Sequence, residues 1–355
     1  KPLLDLLQKH ATNRSTKDTP NLSWRDKSGR VYVNPLTYIP ENLDDFLLNY
    51  EYVVKSVLRY RDLQSHLPFK NWTDYPFTAV LSCKGCLQNC ATCGGSSFAY
   101  KNFFKREKPI FMNPSLLVEQ IKIIESYIKG PIFIVGDLRQ GGESYAEQVL
   151  TSIKTERVDN PLIFEFFNAD SQNYLEKIAR VAPDFTLEIS PESHDEDVRR
   201  FQGRHYQNKE LEKTIETAFK NECKKLDIFF LIGLPGQTAS SAIDTAKYCD
   251  NLLTKYGKNK RLYPFTAPIA PFLDPGSLAF ENPKRYGYKL FFNTIEESRK
   301  ALTSPNWKYY LNYETEWMTR DEIVNTSYDA AGILVQIKMK HGLITQKEAL
   351  SSQNR

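Results

Sequence analysis

Nowhere in its 355 residues does the chain contain a run of 18 or more apolar side chains, so no segment is predicted to cross a membrane as a helix. Cysteine is scarce. There are six in all, three of them crowded together, a usage that suits a reducing compartment, the cytoplasm, better than a secreted disulfide scaffold. Net charge is close to nil, +4 with both signs dispersed, which gives no argument for a nucleic-acid partner. The N-terminus has no secretory signal pattern, and there is neither an internal repeat nor a low-complexity tract. The chain opens on Lys1 rather than Met, which reads as the start of a fragment or trimmed piece. What remains is an ordinary globular composition, 41% hydrophobic and 25% charged, in a chain long enough for one large barrel and a smaller appendage.

From Phe77 onward, apolar strand-like runs alternate with helical patterns, the mark of βα units on a parallel sheet. Strands are expected at Phe77–Leu81, Ile132–Gly136, Leu162–Phe167, Phe185–Ile189, Leu226–Ile232 and Leu262–Ala267, with helices at Ser171–Arg180, Asn208–Asn221 and Thr238–Tyr256. A further helix is capped by Asn113, starts at Pro114, presents Leu117, Ile121, Ile124 and Ile128 on one face, and ends by Gly130. About six units result, fewer than the eight that close a full barrel. The expected fold is therefore α/β, a partial (β/α)6 TIM-like barrel over 76–280, with an N-terminal extension (1–75) and a C-terminal helical region (281–355). In the extension, Leu22–Val33 reads as a hairpin turning at Lys27-Ser28-Gly29, and Asp44–Leu63 as a helix packing on the barrel's outside. Beyond 280, helices are expected at Tyr288–Leu302 and Arg320–His341, with Trp307, Tyr309, Tyr310, Tyr313 and Trp317 between them as core aromatics or as a substrate face.

The chemistry concentrates in Cys86-Leu-Gln-Asn-Cys90-Ala-Thr-Cys93, three thiols at CxxxCxxC spacing just after the first strand. Three cysteines can hold three irons of a cubane and leave the fourth open as a chemical site. Gly94-Gly95 follows, permitting close backbone approach to a bulky ligand. Cys83 adds a CxxC, so a zinc knuckle or a disulfide pair are the alternatives. Cys83, Cys223 and Cys249 read otherwise as packing or surface thiols.

On the run Lys84-Gly-Cys-Leu-Gln-Asn-Cys-Ala-Thr-Cys-Gly-Gly-Ser96 the sequence resembles the radical S-adenosylmethionine (SAM) superfamily, and more narrowly its cobalamin-dependent members. The resemblance extends over roughly Leu22–Gly287 and implies a four-iron four-sulfur cluster on Cys86, Cys90 and Cys93, with SAM at the open iron. It implies that one-electron reduction cleaves SAM to start radical chemistry on a substrate the sequence does not identify, with a flavodoxin- or ferredoxin-like electron donor. Around SAM it implies Gly136-Asp137 for the methionine amino group and Arg204, rather than Arg199 or Arg200, for the methionine carboxylate. Glu188 and Ser190, which share one strand face, would meet the ribose hydroxyls. The backbone of Thr92 and the turn Gly233-Leu234-Pro235 would lie against the adenine. A literal Gly141-Gly142-Glu143 spells the superfamily's usual amino-group motif but falls beyond the strand end, and Gln237 stands where an acid is usual. Cobalamin in the longer protein, and a methyl transfer that uses it, follow from the narrower resemblance; no module for it is legible in these residues. Radical chemistry without cobalamin, or a non-catalytic iron–sulfur or zinc module, are the alternatives.

Overall fold

The computed structural model describes residues 1–69, 71–170 and 173–353. Six strands form the centre: β1 (Thr78–Leu81), β2 (Ile132–Val135), β3 (Leu162–Phe166), β4 (Thr186–Glu192), β5 (Lys225–Ile232) and β6 (Leu262–Pro268). They pair in chain order, all parallel, with β1 and β6 as the two edges. This is the α/β partial barrel expected from the sequence.

Helices α1 (Pro114–Tyr127), α2 (Glu143–Thr155), α3 (Asn173–Ala179), α4 (Asn208–Lys220) and α5 (Ala239–Tyr256) occupy the connections. Of the helix expected at Ser171–Arg180, Ser171 and Gln172 lie outside the described residues. Asn113 caps α1 by accepting the Ser115 N–H at 3.0 Å, and Leu117, Ile121 and Ile124 are fully buried beneath it. Each such side chain contributes about 1.5–3 kcal/mol by leaving water. Gly130 lies two residues past the helix cap at Ile128. A Cβ there would stand 2.4 Å from the Pro76 carbonyl, so the chain passes too close for any side chain.

The flanking regions depart from expectation. The hairpin forms as Ser23–Arg25 paired with Val31–Val33, turning where Asp26 accepts the N–H groups of Ser28 and Arg30. The helix expected over Asp44–Leu63 is shorter, Tyr50–Tyr60, capped by Asn49, and none of its residues is buried. It meets the barrel's outside through Tyr50, which stacks on Tyr127 of α1, and borders a groove of about 660 Å³ lined by Val53, Val57, Phe69, Trp72 and Phe77. Beyond 280, Tyr288–Leu290 is a strand paired antiparallel with Tyr313–Thr315, and only Ile295–Ala301 of the expected Tyr288–Leu302 segment is helical. Both tyrosines are buried, where a strand register can hold two rings edge to face at 5.4 Å. The last long helix, α6 (Arg320–Lys340), lies against α5 and β6, with Leu334 and Ile337 in the barrel's own core.

Candidate functional site

Strand β1 ends where the Ser82 hydroxyl donates to the Val135 carbonyl at 2.7 Å, and the cysteine loop begins there. Its backbone is held on every side. Ala91 donates to Gln202 O (2.7 Å) and accepts from Ala279 N (2.8 Å), while Gly94 N donates to Asp274 Oδ2 (3.0 Å) and Leu87 N to Gln140 Oε1 (2.8 Å). Thr92 accepts a buried hydrogen bond from Gln202 Nε2 at 2.8 Å, which fixes its side chain. With the loop fixed, Cys90 is buried and Cys86 and Cys93 are half-buried.

The three thiols share one braced loop but do not converge on a single point. Among the described residues, no three His, Cys, Asp or Glu side chains are grouped to hold a single metal ion, as a tetrahedral zinc site requires. In a cubane each cysteine binds a different iron, so no such convergence is needed. Two sulfurs already receive backbone N–H groups, Cys86 from Gln88 and Cys93 from Gly95, both at 3.3 Å, a stabilising arrangement for thiolates. Burial pushes the free thiols up, Cys86 to about 11 and Cys90 to about 12, so a cationic ligand is what would make them thiolates at neutral pH. Cys83 belongs elsewhere: it pairs with Phe111 in a short antiparallel bridge, and its sulfur lies against Gly136.

Gly203, at the end of a short helix over Glu196–Gln202, sets how near that helix can approach the cysteine loop. Its φ is +104°, and a Cβ there would meet the Asn89 carbonyl at 2.7 Å, inside the cysteine loop. Gly203→Ala is expected to destabilise the protein by about 1–3 kcal/mol through backbone strain and contact, and to lower iron incorporation on reconstitution. Iron analysis beside thermal melts measures both.

The strand ends distribute the other expected residues in an instructive way. Gly136 turns at φ +98° and donates its N–H to Glu165 Oε2 at 2.7 Å. Asp137, expected to meet an ammonium, is committed elsewhere. Its Oδ1 accepts from Arg139 N (3.0 Å) and Nε (2.8 Å), and its Oδ2 from an Arg139 terminal nitrogen (2.6 Å) and Phe167 N (3.0 Å). Two donors on each oxygen occupy its lone-pair directions. Glu143 of the literal Gly-Gly-Glu is exposed at the start of α2 and pairs with Lys177.

Glu188 and Ser190 do share the barrel-facing side of β4, both half-buried, and β4 carries an irregularity between Ile189 and Glu192. The strand register sets Glu188 between Glu165 of β3 and Asp227 of β5, a row of three acids across the lumen. Burial, then Asp227 and Glu165, raise the Glu188 carboxyl from its ordinary 4.5 to about 7. Between those values the folded protein holds a proton that the unfolded chain has released. Stability therefore falls as pH rises from 4.5 to about 7, and stays low above it. For a half-buried group the loss is about 1–2 kcal/mol after allowance for solvent screening. Glu188→Gln is expected to raise the melting temperature at pH 8 and to change it little at pH 4.5; equal shifts at both would overturn this.

Arg204 is buried beside the cysteine loop, close enough to Cys90 and Cys86 to act on both electrostatically. It donates to the Phe167 carbonyl at 2.7 Å and pairs with Glu192 at 3.4 Å, while its Nε has no partner. Arg199, read from sequence as a surface charge, is fully buried instead. It braces Ser193 O, Tyr206 O and Asn208 Oδ1, whereas Arg200 is exposed and pairs with Asp197. After β5, Gly233 turns at φ +97° against the Tyr313 hydroxyl. Gln237, with no exposed surface, accepts from Gly233 N and Leu234 N and donates to Leu231 O, fixing the Gly233-Leu234-Pro235 turn. Tyr288 reaches the same turn through the Gly233 carbonyl at 2.7 Å. Sequence reasoning missed Glu165, Glu192, Gln202 and Tyr288; the one local signal was Glu165 as the sole acid in the run Leu162-Ile-Phe-Glu-Phe166.

The open parallel barrel with three loop cysteines after its first strand is similar to known proteins. Residues 80–249, just under half of the chain, match the family model described as the Radical SAM superfamily. Among solved structures it is similar to the radical SAM methyltransferase TsrM from Kitasatospora setae, with cobalamin and a [4Fe-4S] cluster bound. That match has 11% identity and a TM-score of 0.60 over 94% of this chain and 66% of that one. It is similar also to the cobalamin-dependent SAM radical enzyme OxsB with aqua-cobalamin and SAM bound, at 12% identity and TM-score 0.60 over 99% of this chain and 53% of that one. The chain thus spans about half to two thirds of the length of these structures. Identities this low show the fold alone. No curated protein matches. No helix among the described residues is long and apolar enough to cross a membrane.

Proposed function

We propose that the chain is the catalytic barrel of a radical SAM enzyme, binding a [4Fe-4S] cluster through Cys86, Cys90 and Cys93 and SAM in the barrel mouth beside it. The observation that carries this reading is the cysteine loop. It is braced from Gln202, Ala279, Asp274 and Gln140, and it presents three thiols at the CxxxCxxC spacing that suits three irons of a cubane. When bound, the cluster supplies the electron that cleaves SAM and starts radical chemistry on the substrate.

The chain's own residues orient and enclose. The Gly233-Leu234-Pro235 turn offers a rigid backbone edge, pinned by Gln237 and Tyr288, for the adenine, together with the backbone at Thr92. Glu188 and Ser190 offer acceptors for ribose hydroxyls from the lumen face of β4. Arg204, with one nitrogen unpartnered, offers a donor to the methionine carboxylate. An electron donor of flavodoxin or ferredoxin type would deliver reductant to the loop. Anaerobic reconstitution tests this reading: the expected product is a cubane whose EPR signal changes on adding SAM, and stoichiometric zinc with no iron would overturn it.

Likeness to TsrM and OxsB supports a cobalamin-dependent reaction, methyl transfer foremost. These residues do not fit cobalamin by themselves. Beside the barrel sheet, the described residues form only three two-stranded sheets, none of them a doubly wound module. Residues 1–355 alone are therefore expected not to bind hydroxocobalamin tightly, because half a site provides little preorganised contact. A visible-spectrum titration showing tight binding would overturn this.

A further inference from the structure

We propose that Gln140, on the turn after the second barrel strand, is the outer hydrogen-bond partner of the cluster at its Cys86 corner, its side-chain N–H group donating to the Cys86 sulfur and raising the cluster's reduction potential. The inference rests on the cluster reading above and names a residue that neither the cysteine spacing nor the SAM motifs pick out. Gln140 Oε1 accepts from Leu87 N at 2.8 Å and from the Cys86 thiol at 3.2 Å. The Leu87 N–H decides which end of the amide is oxygen, since a nitrogen there would set donor against donor. On the other arm, Nε2 is buried and, among the described residues, has no partner. A buried donor left unsatisfied is costly, and so points to an acceptor that the protein's own side chains do not supply.

That acceptor follows from what a cysteine must do to hold iron. As a thiol, Cys86 donates and needs the amide oxygen; as an iron-bound thiolate it has no proton to give and can only accept. A primary amide carries acceptor and donor side by side, so Oε1 can stay on the Leu87 N–H while Nε2 turns to the sulfur beside it. Cys86 already accepts from Gln88 N at 3.3 Å and would become a corner with two N–H donors. The turn holds this amide still. Gln140 N donates to Asp137 O at 3.0 Å, and Asp137 caps the Leu138–Gly141 turn with its carboxylate locked by Arg139. Arg139 is itself tied to Asn168 O at 2.9 Å and lies over the Phe166 ring at 3.9 Å. The Asp137 charge thus serves the arginine that stiffens the turn carrying Gln140. Hydrogen bonds to cluster sulfurs favour the more negative, reduced state, so this donor raises the potential.

Pulsed EPR of the reduced, cluster-reconstituted protein without SAM tests this directly, using a heavy-nitrogen label confined to glutamine side chains. Wild-type protein is expected to show a hyperfine coupling from the label, and Gln140→Met, similar in length but unable to donate, to lose it. An EPR-monitored redox titration should place the Gln140→Met cluster at a more negative potential. Gln140→Glu keeps an acceptor for the Leu87 N–H, and so the loop's brace, but exchanges the donor for an anion; its potential should fall furthest. A wild-type cubane with no coupling to the label overturns the inference, as does a coupling that survives in Gln140→Met, which would belong to Gln88 or Gln202. An unchanged potential in Gln140→Glu overturns it too, even where Gln140→Met takes up no iron. Failure of the wild-type protein to form any cubane removes the cluster reading itself, a result distinct from the others.

Discussion

Replacing any one of Cys86, Cys90 or Cys93 with alanine is expected to abolish the intact cluster, taking iron from about four per chain to background after anaerobic reconstitution. The loop's tethers to the rest of the barrel run mainly through its backbone, so each variant should fold while losing one iron's anchor. Cys83→Ala, Cys223→Ala and Cys249→Ala should keep the cluster. Cys83 faces Gly136, and the other two have no exposed surface, Cys249 within α5 and Cys223 just before β5. Their truncation costs about 1–2 kcal/mol of packing, which a thermal melt reports separately from iron content. Retention of a full cluster in any of the first three variants, or its loss in Cys83→Ala, would show that the ligand set is wrong.

Arg204→Ala should have the largest effect on stability, about 3–5 kcal/mol, because it leaves the buried Glu192 carboxyl without its charge partner. Burial already holds that carboxyl above its ordinary range, with Arg204 partly opposing the shift. The accompanying change Glu192→Gln removes the unpaired acid and should restore much of the stability, though not SAM affinity, which depends on the guanidinium. Chemical denaturation of the single and double variants, with SAM titration of the double, separates the two contributions. A double variant as unstable as the single would mean that Arg204 acts through Phe167 O alone.

The barrel was readable from sequence because its strands are continuous apolar runs bounded by Gly, Pro or charged residues, and because α1 announces itself by Asn113 before Pro114. Tyr288–Leu290 was misread as helix because its partner, Tyr313–Thr315, lies over twenty residues away, and pairing at that range leaves no periodic trace. The cysteine loop was legible through spacing. The site's charges were not, because a sequence motif shows which acid is near a strand end and not which base consumes it. Asp137 is taken by Arg139 only two positions on, whereas Glu165 reaches the mouth through strand register and one glycine N–H.

Gln237 shows what a departure from a family's usual residue can mean physically. An amide both donates and accepts, so one side chain satisfies two N–H groups and a carbonyl at the Gly233-Leu234 turn. An ionised acid at the same position would set a lone pair against the Leu231 carbonyl and place a full charge where no water reaches. The turn is therefore electrically neutral at every physiological pH, and its shape is insulated from whatever charges a ligand brings into the lumen.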